Sequence, residues 1–206
     1  MDNNKTADSA KPKGIVICIS GMAGTGKSTL AKRLAKKYHL KYYSGGDALK
    51  ALAAEEGYDA STHGWWESPI GLKFLKERQG NPTFDKAVDA KLVEYADKGD
   101  VLLDSWTMPW LVKNGFKIWL MASMEKRAQR VAKRDKMTAE KALKVLKEKE
   151  ERTKAIYQQL YGFSLGEDFG PFDLILDTEK MNAEEVYQTL CQVIDNMVVR
   201  QNAPID

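Results

Sequence analysis

Residues 20–29 read SGMAGTGKST, with the apolar run GIVICIS (14–20) directly before them and the helix-like STLAKRLAKKY directly after. The stretch fits the spacing G-x-x-x-x-G-K-S through Gly21, Gly26, Lys27 and Ser28. A plain strand-to-helix turn needs one or two glycines but has no use for a lysine and a hydroxyl in that order. Glycines let the backbone curl until successive N–H groups point inward at an anion, and the helix start adds its positive dipole end. Lys27 would then reach the β and γ phosphates of a nucleotide, and the Ser28 hydroxyl would ligate magnesium. Gly21, Ala23, Gly24, Thr25, Gly26, Lys27, Ser28 and Thr29 are therefore the candidate nucleotide-binding residues.

Short apolar runs alternate with helix-length amphipathic patterns along the rest of the chain. The runs are GIVICIS (14–20), LKYY (40–43), DVLLD (100–104), FKIWLMA (116–122) and FDLILD (172–177). Helices are predicted near 27–38, 46–56, 83–98, 124–134, 138–161 and 182–199. This alternation predicts a three-layer α/β fold, a five-stranded parallel sheet with helices on both faces, and the G-x-x-x-x-G-K-S loop after its first strand makes it of the P-loop NTPase kind. Ligands then collect at the carboxyl ends of the strands, where Gly21, Ser44, Asp104 and Ser123 fall. At 206 residues the chain has room for one such domain, over 14–199, between polar tails at 1–13 and 200–206.

Two segments break the repeat and read as insertions over the ligand face. Residues 57–82 carry Gly, Pro and paired tryptophans, and residues 124–165 are mostly charged helix. Within the second, KEKEERTK (147–154) interrupts the apolar stripe for about two turns. Either the helix projects past the core as a mobile lid does, or it is a long exposed helix with ordinary i,i+4 pairs.

Net charge is only +3, too small to imply nucleic acid by itself. Residues 123–154, however, hold twelve Lys or Arg against six Asp or Glu, and four of the seven arginines: Arg127, Arg130, Arg134 and Arg152. Such a block wants an anion close by. The aromatics lie mostly outside it, whereas single-strand binders interleave the two, so small nucleotides are expected rather than nucleic acid. Cys18 and Cys191 read as separate buried thiols of a reducing cytoplasm. No run approaches the length of a membrane span and the first residues lack the apolar region of a signal peptide, so no membrane association is expected. Nothing in the sequence fixes an oligomeric state.

From about residue 14 to 190 the chain resembles the nucleoside monophosphate kinases, most closely the archaeal-type cytidylate kinases. SGMAGTGKSTLAKRLAKKY matches their start, although many unrelated NTPases share that loop. More specific are YYSGGDALKALAAEEG, similar to the start of the acceptor-binding helix, and GPFDLILDTEKMNAEEV, similar to the last strand and helix. RVAKRD followed by KEKEERTKAIYQQLYG looks like the family's lid. The resemblance implies an acceptor-binding insertion at about 45–82, a lid at about 124–165, and ATP with Mg2+ as donor. It also implies that Arg130 and Arg134, four apart on one helix face, set one guanidinium against the adenine and the other on the phosphates. Arg152 would come from the lid itself, and these three with Lys27 are the candidate catalytic residues. Surface ion pairs with nearby Glu are the other reading of the three arginines.

On the acceptor side, Ser44, Gly46, Asp47, Lys50, Arg78, Asp104, Trp106 and Trp110 are the candidate substrate-binding residues. Asp104, with Ser28, is the metal candidate: it would hold a magnesium-bound water or accept the proton of an attacking hydroxyl. Asp47 caps the following helix or binds a sugar or base. Lys50 and Trp106 stand where the family usually has arginines for the acceptor phosphate; a lysine loses the bidentate fork and a tryptophan loses the charge as well. Either Arg78, with Lys73 and Lys76, takes over, or the acceptor carries no phosphate. Trp65, Trp66, Trp106 and Trp110 serve as flat walls for a base or sugar, or as core. Asp85 and Asp89, one turn apart, read as surface carboxylates. The expected activity is transfer of the γ phosphate of ATP to CMP or dCMP; the alternative is the same fold with a nucleoside, another nucleotide or a small alcohol as acceptor.

Overall fold

A computed structural model describes residues 14–61 and 64–199; the expected tails at 1–13 and 200–206 lie outside the described residues. Five parallel strands, β1 Val16–Gly21, β2 Lys41–Ser44, β3 Val101–Asp104, β4 Phe116–Met121 and β5 Leu174–Asp177, form one sheet in the order β2-β3-β1-β4-β5. Side chains alternate across a strand, and β1 shows why its run is apolar without interruption. Ile17 and Ile19 pack on α1 (Lys27–Lys37) and α8 (Ala183–Ile194) through Leu30, Leu34, Val186 and Leu190. Val16 and Cys18 face the opposite layer, packing on Leu49 of α2 (Gly45–Glu55) and on Val88 and Leu92 of α4 (Thr83–Lys98).

Strand order reverses at β1, which has β3 on one side and β4 on the other. The crevice at that switch point is where ligands of open α/β sheets bind. The same register brings Ser44 opposite Asp104 and Asp104 opposite Ile19, so the ends of β2 and β3 border the loop that leaves β1.

Residues 57–82, expected as an insertion, contain a helix. A 3-10 turn, Trp65–Glu67, leads into α3 (Pro69–Gly80), whose start is fixed by Ser68 accepting from the Gly71 N–H and by Pro69 in the first turn. Trp65 is buried against Phe74 and Ala53, so here the core reading of a tryptophan holds. A short α5 (Met108–Leu111) follows β3.

Helices α6 (Met124–Asp135) and α7 (Ala139–Tyr161) correct the expectation of a stripe lapsing into solvent. In α7, Lys149, Glu150 and Thr153 are all buried. The apolar stripe lapses because the inward face of the helix is polar where it borders the crevice.

Candidate active site

The crevice is a cavity of about 350 Å³ at the carboxyl ends of β1, β2 and β3. Its wall includes Ala23, Gly24, Gly26, Lys27, Ser28 and Thr29 from the loop and the start of α1. No side chain caps α1, in contrast to α2, α3, α6, α7 and α8, so its first N–H groups have no side-chain acceptor. Gly24, at φ 87°, packs so closely on α6 that a Cβ would come within 2.8 Å of the Arg127 carbonyl oxygen. Gly21 and Thr25 do not line the cavity; they brace the loop. The Thr25 hydroxyl donates to the Met22 carbonyl at 2.9 Å, and the Gly21 carbonyl accepts from Trp106 Nε1 at 2.6 Å.

Lys27 is half-buried in the cavity wall, and loss of solvent there lowers its pKa below the ordinary lysine value. Asp104 is the strongest of the groups acting against that fall, and Lys149 and Glu67 are close enough to act on Lys27 as well. Asp104, buried, accepts from the Tyr42 hydroxyl at 3.0 Å. Ser44 accepts from the Asp47 N–H and so is itself the cap of α2, leaving the exposed Asp47 side chain on the cavity rim beside Gly46.

The arginines expected in a lid separate. Arg130 lines the cavity, held by the Thr178 carbonyl at 2.8 Å and hydroxyl at 3.1 Å just beyond β5. Arg134 also lines it, half-exposed, and bonds Asp135 and Glu67. Arg152 does not: it pairs with Glu148 one turn away, the ordinary i,i+4 ion pair. Lys149 reaches the cavity instead, donating to Glu67 at 2.6 Å. Behind them Arg127 is buried, bonding Glu150 with both terminal nitrogens and the Ala23 carbonyl at 3.1 Å, which ties α6 and α7 to the phosphate loop.

On the acceptor side the structure brings Arg78 and Trp106 to the cavity but not Lys50 or Trp110. Trp110 is committed to packing: it stacks on Phe163 at 4.0 Å between centroids and donates to Asp168. Trp106 faces two ammonium groups, Lys27 at 5.6 Å and Lys149 at 5.8 Å from its ring centroid. Arg78 is buried, and its Nε and Nη2 donate to Asp85 at 3.1 and 2.5 Å.

Asp85 and Asp89, read from sequence as surface carboxylates, are buried in the cavity wall. Asp89 accepts from the Thr107 hydroxyl at 2.7 Å and the Tyr161 hydroxyl at 2.6 Å. Burial lifts its carboxyl to about 6, against those bonds. Five cationic and five carboxylate side chains line the cavity, so their formal charges balance in number. Among the described residues no cluster of three or more metal-ligating side chains occurs, and no helix is long and apolar enough to cross a membrane.

A family model described as the cytidylate kinase-like family matches residues 16–180. The cytidylate kinase of Methanocaldococcus jannaschii is 34% identical over 188 residues, which is 89% of this chain and 99% of that protein. The cytidylate kinase of Pyrococcus abyssi is 35% identical over 188 residues, 90% of this chain and 97% of that protein. Among solved structures, an uncharacterized protein from Eubacterium ventriosum covers 89% of this chain and 99% of its own at a TM-score of 0.61 and 20% identity. Shikimate kinase from Acinetobacter baumannii, in complex with shikimate, covers 90% and 96% at 0.54 and 16%. At such identities these two structures show a common fold only.

Proposed function

This chain belongs to the cytidylate kinase-like family, and from that premise we propose that it transfers the γ-phosphoryl group of ATP to CMP or dCMP, giving the diphosphate and ADP. The observation that carries the reading is a single cavity whose wall runs from Lys27 and Ser28 of the phosphate loop to the buried Arg78–Asp85 pair. One end suits a triphosphate, and the other suits the edge of a base.

At the donor end Lys27 and the uncapped N–H groups of α1 take the phosphate oxygens, and Arg130, steadied by Thr178, takes the adenine or the phosphates. Ser28 and Asp104 are hard oxygen donors, and two protein groups are enough for magnesium, which keeps several waters and shares phosphate ligands. Bound there, such an ion would supply positive charge to the phosphate oxygens. A monophosphate brings its own ionised nucleophile near neutral pH. One of its phosphate oxygens forms the new bond to the γ phosphorus as the bond to the β–γ bridging oxygen breaks, and no side chain need take a proton. Positioning and charge stabilisation are then the protein's contribution.

At the acceptor end, the base-reading role falls to the Arg78–Asp85 pair. Cytosine offers acceptors at O2 and N3 beside the N4 amino donor, which match a guanidinium next to a carboxylate. Uracil replaces that amino group by a carbonyl, which would face the carboxylate without a proton between them. Asp47, on the rim, is assigned to the sugar. The buried free thiols Cys18 and Cys191 suit a reducing cytoplasm, where such nucleotides are found.

One observation favours a second acceptor class: Trp106 is bonded to Gly21, and Lys50 does not line the cavity, so neither offers a fork to an acceptor phosphate. A nucleoside or small alcohol would need no such fork, and Asp104 would then receive its proton. A coupled assay of ADP release with CMP, dCMP, UMP, AMP, cytidine and simple sugars separates the two. CMP or dCMP should give the highest kcat/KM. Turnover on uncharged acceptors with none on monophosphates would replace the first reading by the second.

A further inference from the structure

Glu67 is a buried carboxylate with two cationic partners from another part of the chain, and none of the roles above uses it. It ends the 3-10 turn Trp65–Glu67, a rigid platform. The Glu67 N–H donates to the Gly64 carbonyl and the Ser68 hydroxyl to the Trp65 carbonyl, at 3.0 and 2.7 Å. Trp65 is core, and α3 sits so close that a Cβ on Gly71 would come within 2.1 Å of the Trp65 carbonyl oxygen. From this platform one carboxylate oxygen accepts from Lys149 at 2.6 Å and the other from Arg134 at 3.0 Å. Lys149 belongs to α7 and Arg134 to α6, so a single side chain gathers both lid helices, and all three groups line the cavity.

The geometry points to Glu67 as a positioning residue for phosphoryl transfer: it holds Lys149 and Arg134 in the cavity wall, where Lys149 and Lys27 stand 5.8 and 5.6 Å from the Trp106 ring centroid. The inference rests on the kinase reading and names a residue that reading does not require. Two ammonium groups near one indole repel each other, and without a partner the lysine of α7 would swing away. The Glu67 carboxylate bonded to Lys149 fixes its direction. An ammonium has three donors and a guanidinium five. Each cation can therefore keep its bond to Glu67 and still donate to a phosphoryl oxygen in front. Glu67 thus acts through Lys149 and Arg134, touching no substrate, and its removal should damage orientation more than binding.

The test is steady-state kinetics of Glu67→Gln, Glu67→Asp, Lys149→Met and the double variant Glu67→Gln/Lys149→Met, with Mg-ATP and the best acceptor, alongside thermal melts. Glu67→Gln should lower kcat about 10- to 100-fold, with KM for ATP within about twofold of the parent. Glu67→Asp keeps the charge at shorter reach and should fall between Gln and the parent. The double variant should lose less than the product of the two single losses, because in Lys149→Met the carboxylate of Glu67 has only Arg134 left to position. Parental kcat in Glu67→Gln would overturn the inference, as would a gain in kcat, which would mean that the carboxylate competes with phosphate for the cations. Losses that multiply in the double variant would overturn it too. Should the Gln variant not fold, Glu67→Asp decides: unchanged kcat there sinks the proposal. If the parent phosphorylates no monophosphate at all, the acceptor reading has failed, and the same ranking of variants is then scored on ATP hydrolysis by water.

Discussion

Trp106 Nε1 donates to the Gly21 carbonyl at 2.6 Å, joining the residue two beyond β3 to the last residue of β1, where the phosphate loop begins. Trp106→Phe keeps an aromatic face toward Lys27 and Lys149 and deletes this donor together with part of the ring. It should cost about 1–3 kcal/mol in urea unfolding, since the Gly21 carbonyl is left without it, and raise KM for ATP. Trp106→Arg should do worse, because it sets a third cation beside two ammonium groups that now face an apolar ring. CMP turnover at or above the parent's in Trp106→Arg would show that the site accepts the arginine and that the indole is dispensable.

Lys27→Met should reduce kcat by at least about 10³-fold, the scale of removing a preorganised contact to the transferred group. Folding should not suffer with it. Lys27 has its pKa lowered by burial, so its charge costs stability in the empty protein, and the melting temperature should hold or rise slightly. Activity close to the parent's would remove Lys27 from the reaction.

Much of the fold was legible because period and punctuation agreed. Five apolar runs became the five strands, and the loop between β1 and α1 fell at the switch point that its glycines and lysine required. Two features at the site were hidden by treating polar residues as solvent-facing. Asp85, Val88, Asp89 and Leu92 follow the i, i+3, i+4, i+7 stripe of a core-facing helix; two carboxylates on that stripe were the signal of a buried polar wall. In α7 the buried Lys149, Glu150 and Thr153 share one face, whereas Arg152 points elsewhere and pairs with Glu148. The partners themselves were out of reach. Glu67 and Lys149 stand 82 positions apart, and no local pattern states which lysine of a basic block finds which acid.

Arg78 and Asp85 form a bidentate pair with both side chains nearly inaccessible. Arg78→Met strands a buried carboxylate and should cost about 3–5 kcal/mol, whereas Arg78→Met with Asp85→Leu should recover most of that loss, because no uncompensated charge remains. Both variants should raise the acceptor KM and leave the KM for ATP nearly unmoved, since donor and acceptor occupy different ends of the cavity. Equal rises in both KM values would refute the base-reading role of the pair.

The Asp89 carboxyl gives a pH signature. Burial raises it to about 6 from its ordinary 3.8, so between those values the folded protein binds a proton that the unfolded chain has released. Stability contributed by this group is therefore full below about pH 4, falls as pH rises, and is lost above about pH 6, an amount on the order of 3 kcal/mol for a shift of this size. Asp89→Asn removes the titration while leaving an oxygen for the Thr107 or Tyr161 hydroxyl. Relative to the parent, the Asn variant should gain stability steadily from pH 4 to 6.5 in urea melts at fixed ionic strength. A difference between the two proteins that stays constant over that range would mean that Asp89 titrates in the folded state as it does in the unfolded chain, and that its burial is relieved by water.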